Sequence, residues 1–153
     1  MDTITKGRLG YNLVEKEFLK RDFELYVPVL ENTKVDCITI KNGVIFKYQI
    51  KSLIDNKGTK ALPVRKVSHN QGEYKIHLYN AKEIDFFIGV DLETEDLYIV
   101  PISFVANYAS CISCKKLQEY KNNFTQLEPH IGNDMSAGDD IGESLTANAE
   151  GTQ

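Results

Sequence analysis

The stretch VDCITIKNGVIFKYQIKS, residues 35–52, constrains the fold of this 153-residue chain more than any other. β-Branched and aromatic residues flank Asn42-Gly43, a dipeptide suited to the positive φ angles of a type I′ turn, so the segment predicts a two-residue hairpin. With Asn42 and Gly43 as the loop, Lys41 faces Val44, Ile40 faces Ile45 and Asp36 faces Gln49. Opposed residues share a face, with Cβ atoms roughly 4.5–5.5 Å apart. Lys51, two positions beyond Gln49, joins that face. The register thus gathers a carboxylate, an amide and an amine on one side of strands otherwise fit for a core. Cys37 alternates to the opposite side, where a small apolar thiol packs well.

Such a cluster has the ingredients of metal-dependent phosphodiester hydrolysis. A hard divalent cation, Mg²⁺ or a relative such as Mn²⁺, takes oxygen ligands, and the Asp36 carboxylate, the Gln49 side-chain oxygen and the intervening Ile50 carbonyl supply them. Lys51 would orient or help deprotonate the attacking water, or stabilise charge on the phosphate. The same residue types also suit an ordinary solvent-facing hairpin side, and spacing does not separate the two readings.

Around the hairpin, the chain reads as one domain, residues 1–127, followed by an acidic, disordered or loosely attached tail, 128–153. Leu9, Leu13, Val14 and Phe18 recur at helical spacing and predict a helix over 6–21, with Thr5 as N-cap. FELYVPV is a short strand that Pro28 places at an edge or an end. Residues 56–82 predict an irregular stretch leading into an exposed hairpin that turns near Gly72. Residues 84–92 and 97–105 are apolar enough for central strands, and 113–123 for a short helix. The expected class is α/β (α+β), a mixed, largely antiparallel sheet flanked by helices.

The ordered motifs resemble the PD-(D/E)xK nuclease superfamily: Asp36, twelve residues, then Gln49-Ile50-Lys51, with Gln in place of the usual second acid. KGRLGYNLVEKEFLKRDFELYVPV is similar to the N-terminal helix and first strand of its group I intron-encoded homing-endonuclease branch and of archaeal Holliday-junction resolvases. EIDFFIGV and DLYIVP look like the later strand pair, so the resemblance covers roughly residues 6–105. It implies a restriction-endonuclease-like core, a divalent-metal site and hydrolysis of double-stranded DNA at a specific site. Because one chain carries one site, it also implies a homo-oligomer, dimer or tetramer. A resolvase and a non-catalytic DNA-binding protein on the same fold are the competing readings.

Two positions depart from the family pattern. Val35 replaces the Pro before Asp36, a common variation. More consequentially, members of this branch read Gly-x-x-Gly-Glu at the helix start, the Glu lying near the metal, and here GRLGY puts Tyr11 there. A phenol with a pKa near 10 is a poor Mg²⁺ ligand at neutral pH, so the expectation is a weakened or inactive nuclease. Glu15, one turn later, is a partial substitute at a different height.

Charge distribution supports a DNA partner despite a net charge of −4. Residues 1–83 hold 15 Lys and Arg against 10 Asp and Glu, whereas residues 84–153 hold 3 against 12. Within 56–82, Lys57, Lys60, Arg65, Lys66 and Lys75 stand among His69, Tyr74, His77 and Tyr79. A two-stranded ribbon fits the major groove, so Arg65, Lys66, Lys75 and His77, with Lys60, Lys57 and the helix-start Arg8, are the candidate DNA contacts. Lysine on an edge hairpin also serves solubility alone.

Other signals point to no further chemistry. Three cysteines make no disulfide framework, and Cys111-Ile-Ser-Cys114 lacks the second pair that a structural zinc needs. Phe86, Phe87, Tyr98 and Phe104 read as core or subunit interface rather than a base-stacking platform. No apolar run reaches membrane-span length and no signal-peptide core is visible, so the expected location is cytoplasmic and no membrane partner is expected.

Overall fold

A computed structural model describes residues 1–128, and the rest of the expected acidic tail lies outside the described residues. Helix α1 (Thr3–Lys20) opens the chain. Its N-cap is Asp2 rather than Thr5: the Asp2 side chain accepts from the Thr5 backbone N–H at 2.9 Å and from the Thr5 hydroxyl at 2.6 Å. A carboxylate capping the positive end of the helix starts it at Thr3, three residues before the expected start at residue 6. Gly10, Val14 and Phe18 form the buried stripe, and Leu9, expected in it, is exposed.

Strands β1 (Glu24–Tyr26), β2 (Cys37–Lys41) and β3 (Val44–Ser52) follow. Asn42 (φ 49°) and Gly43 (φ 78°) make the predicted turn. The β2–β3 ladder pairs Cys37 with Tyr48 and Lys41 with Val44, which is the register read from the sequence. The segment before the ribbon is not irregular. Strand β4 (Ile54–Asn56) and strand β5 (Thr59–Pro63) form a second hairpin around Lys57-Gly58. Asp55 Oδ1 accepts the Gly58 N–H at 2.7 Å, fixing a turn that Lys57 enters at φ 53°.

The exposed ribbon is β6 (Arg65–Asn70) paired with β7 (Glu73–Leu78), turning at Gln71-Gly72. Strands β8 (Phe86–Val90) and β9 (Leu97–Pro101) complete the main sheet. The strand expected over 97–105 stops at Pro101 because α2 (Ile102–Val105) takes over. Beyond it, β10 (Cys111–Ser113) pairs with β5. The helix expected over 113–123 is instead two 3-10 turns, Cys114–Lys116 and Gln118–Tyr120.

The main sheet runs β1-β2-β3-β8-β9, with only β3 and β8 parallel. Because side chains alternate, one face carries Tyr48, Phe86, Ile88, Val90, Leu97 and Ile99 against Val14 and Phe18 of α1. The other carries Phe87, Tyr98 and Val100 against Leu62, Val64, Ile112 and Leu117. Phe86, Phe87 and Tyr98 are therefore core, as expected, while Phe104 is half-buried against Tyr108 and Tyr120. Gly10 lets α1 approach the end of β3, since a Cβ there would stand 3.3 Å from Ser52 Oγ and 3.7 Å from Val90.

Phe18 is fully buried, its ring centroid 5.0 Å from Tyr48 and 5.3 Å from Phe23. Phe18→Ala is expected to lower stability by about 3–5 kcal/mol, read as a shift of the urea midpoint with unchanged slope.

Candidate active site

Local pairing rules build the centre of the site. Asp36 continues the β2 strand direction, its N–H donating to the Tyr48 carbonyl at 2.8 Å. Asp36 Oδ2 then accepts the Gln49 amide Nε2 at 2.6 Å and the Ile50 backbone N–H at 2.7 Å. Both bonds end on one carboxylate oxygen. Gln49 is buried, and with its nitrogen turned to Asp36 its Oε1 has no hydrogen-bond partner among the described residues. A buried unpaired acceptor costs on the order of 1–3 kcal/mol, so this oxygen needs a reason.

Burial pushes the Asp36 carboxyl above its ordinary range, opposed by the Ile50 N–H and by the positive charges of Lys51 and Lys66. Burial lowers the pKa of Lys51; the Asp36 charge works against that shift and Lys66 adds to it. Tyr11 is half-buried, and its phenol is raised by burial and by the Glu15 charge. The Arg8 guanidinium stands 5.7 Å from the Tyr11 ring centroid. Asp36, Gln49 and Lys51 form the floor of a groove of about 970 Å³. Helix α1 lines it with Arg8, Tyr11 and Glu15, the loop 27–33 lines it as well, and Lys66 and Tyr79 come from the ribbon and its exit.

A family model for PD-(D/E)XK endonucleases matches residues 1–129. The chain belongs to the PD-(D/E)XK endonuclease family. A solved structure described as that of a bacterial homing endonuclease, I-Ssp6803I, superposes with a TM-score of 0.68 at 22% identity. The match covers 74% of this chain and 78% of that one, which shows the shared fold. None of the curated proteins matches the sequence.

Within this PD-(D/E)XK chain, the structure brings together Asp36, Gln49, Ile50, Lys51, Tyr11, Arg8 and Lys66 and separates several of the candidate DNA contacts. Lys57 is a turn residue of the β4–β5 hairpin, not of the ribbon. Lys60 lies on β5, its Nζ 2.9 and 2.7 Å from the two Asp91 oxygens and 2.7 Å from Glu93, so its charge is already matched. On the ribbon, Lys66 faces His77 and Ser68 faces Lys75, which puts Lys66, His77 and Lys75 on one side. Arg65 lies on the other, with Val67, Ile76 and Leu78. His77 is half-buried and its Nε2 lies 3.1 Å from Glu83 Oε2.

Glu83 does more than hold His77. Its Oε1 accepts Lys34 Nζ at 2.5 Å and its Oε2 the Asn80 N–H at 3.2 Å, so one carboxylate ties the ribbon to the loop before Asp36. The sequence reading missed Tyr79, buried with its ring 5.3 Å from Phe87 and nearly perpendicular to it. Phe87 is the β8 partner of Gln49, so Tyr79 stands over the same floor as the Asp36 cluster. Among the described residues no three His, Cys, Asp or Glu side chains come together as a metal-ligand group, and the carboxylates lining the groove are Asp36, Glu15 and Glu31. No described helix is long and apolar enough to cross a membrane.

Proposed function

We propose that this chain is a DNA endonuclease of the intron-homing type, acting by divalent-metal-assisted hydrolysis, with activity reduced by Tyr11. The buried, unpartnered Gln49 Oε1 beside the Asp36 carboxylate carries this reading. Three oxygens are available to a hard cation without displacing a protein hydrogen bond shorter than 3.5 Å: Asp36 Oδ1, Gln49 Oε1 and the Ile50 carbonyl. One carboxylate and neutral oxygens suit Mg²⁺ or Mn²⁺, which keep several waters and take further oxygens from a phosphate. The bound cation would lower the pKa of a water and polarise the phosphoryl group.

The protein's own residues then divide the remaining work. Burial raises the pKa of Asp36, and the Ile50 N–H and two lysines oppose that shift in favour of the carboxylate. Lys51 stands beside Asp36 on the floor, where its ammonium can position the water and neutralise charge developing on the phosphate. In the hydrolytic step a water oxygen bonds to phosphorus as the phosphorus–oxygen bond to the leaving nucleotide breaks. One water proton leaves and the departing oxygen gains one. Tyr11 occupies the place where an acid would add the second negative charge, and Glu15 lies one turn further along the helix.

Double-stranded DNA would lie along the ribbon face bearing Lys66 and Lys75, with Arg65 reaching from its edge. Cutting both strands takes two such sites, hence a homodimer or tetramer. Arg65→Ala combined with Lys75→Ala is expected to weaken duplex binding and to reduce the slope of log affinity against log salt by about 1–2. Fluorescence anisotropy over a salt series checks this, and an unchanged slope would remove the ribbon from the interface. Titration of Mn²⁺ into the protein tests the metal: one weak site, lost in Asp36→Asn, is the expected result. Tyr11 also supports a second reading, a DNA-binding protein that has given up cleavage, which restoring the acid separates from the first.

A further inference from the structure

We propose that Lys66 and Tyr79, with Lys51, form the pocket that holds the scissile phosphate, so the ribbon supplies part of the cleavage centre as well as groove contacts. The proposal rests on the endonuclease reading and adds to it residues from a separate two-stranded sheet. Lys66 is the first inward-facing residue of β6 and lines the same groove as Asp36, Gln49 and Lys51. It makes no ion pair with any described carboxylate, in contrast to Lys34, Lys41, Lys60 and Lys121, whose partners lie within 4 Å.

Two lysines, Lys51 and Lys66, act on one partly buried carboxylate, Asp36, so positive charge exceeds negative within that group, while Arg8, Glu15 and Glu31 line the rest of the groove. A divalent cation raises that excess further, and a phosphodiester is the anionic group that would balance it. Tyr79 supplies the wall. Its ring packs nearly perpendicular to Phe87 and His77, with centroids 5.3 and 5.1 Å away, and the residue lines the groove. Burial and the nearby Asp36 charge push that phenol up to about 12, so it stays protonated and can donate to a phosphate oxygen.

The test uses the full chain carrying Tyr11→Glu, with and without Lys66→Ala, Lys66→Arg or Tyr79→Phe. Three readouts are taken: nicking of supercoiled plasmid with Mn²⁺ at protein excess, duplex binding in Ca²⁺, and Mn²⁺ binding without DNA. Lys66→Ala is expected to slow nicking by about a hundredfold while duplex binding falls about threefold or less, and Lys66→Arg to retain most of the rate. Without DNA, Lys66→Ala should tighten Mn²⁺ binding by roughly three- to tenfold, because a like charge is removed, an effect that loss of structure would not produce. Nicking and duplex binding falling in equal proportion, or an unchanged nicking rate, would overturn the proposal. If no protein nicks any DNA, the endonuclease reading fails, and the Mn²⁺ readout still decides: an affinity unmoved by Lys66→Ala overturns the pocket as well.

Discussion

Asp36→Asn is expected to abolish metal-dependent nicking, a loss of more than about a thousandfold, while leaving the fold intact and more stable at neutral pH. Asparagine is nearly isosteric, and its side-chain oxygen can accept the Ile50 N–H that Asp36 Oδ2 accepts at 2.7 Å. What it removes is the charge, and with it the anionic ligand that the proposed cation would need. The stability effect has the opposite sign for a related reason. Burial raises the folded-state pKa of Asp36 above its unfolded value, so the folded protein favours the protonated carboxyl. The cost of the charge is absent below the unfolded value, grows as pH rises through the folded value, and is complete above it. Thermal unfolding should therefore show Asp36→Asn above the parent at pH 7, with the gap closing below about pH 4. A variant that loses activity and also melts lower at pH 7 would assign Asp36 a structural role.

Tyr11→Glu carries the second large effect, a gain of activity of about a hundredfold or more in Mg²⁺ or Mn²⁺. Tyr11 lines the groove from α1, and Gly10 beside it holds that turn of the helix close to Ser52 at the end of β3. A carboxylate at position 11 would bring a second negative charge to a site with one, and the Arg8 guanidinium nearby would help keep it ionised. Mn²⁺ affinity should rise together with the nicking rate. Nicking by the Tyr11 chain at the same rate as the variant would show that the phenol costs nothing, and Glu15 would then be the residue to replace next. Absence of nicking on linear, supercoiled and four-way-junction DNA alike would favour the binding-only reading.

The floor of the groove was legible in the sequence because a two-residue loop leaves one register. Once Asn42 and Gly43 were assigned to the turn, the positions of Asp36 and Gln49 followed from strand geometry alone, and the β2–β3 ladder has that register as far as Cys37 and Tyr48. The same logic was available at Gln71-Gly72. Centring the second turn there puts Lys66 opposite His77 and leaves Tyr79 two residues beyond it on the same side, which is how the groove acquires its ribbon wall. What obscured it was composition: six basic residues spread over 56–82 read as one DNA-contacting unit, whereas the break at Val64, between β5 and β6, divides the stretch between two sheets.

Less could be read where partners lie far apart in the chain. Lys60 looks like a phosphate contact until Asp91 and Glu93, some thirty residues away, are seen to hold it. The helix start was misplaced because apolar periodicity marks where a helix must pack, not where its first N–H groups find an acceptor; Asp2 settles that. The extended run over 97–105 fails at Pro101, whose fixed φ of −65° suits the entry to α2.

Glu83 gives the groove a property that none of its lining residues supplies. Three donors from three segments, Lys34 before Asp36, His77 on the ribbon and Asn80 at its exit, meet on that single carboxylate. The ribbon cannot pivot away from the β2 end without breaking at least one of these bonds. If a duplex is gripped along Lys66 and Lys75, the distance between the grip and the cut is fixed before DNA arrives. The protein would then measure its substrate like a gauge with a set jaw, and a bend in the DNA, rather than a hinge in the protein, would bring the backbone to Asp36.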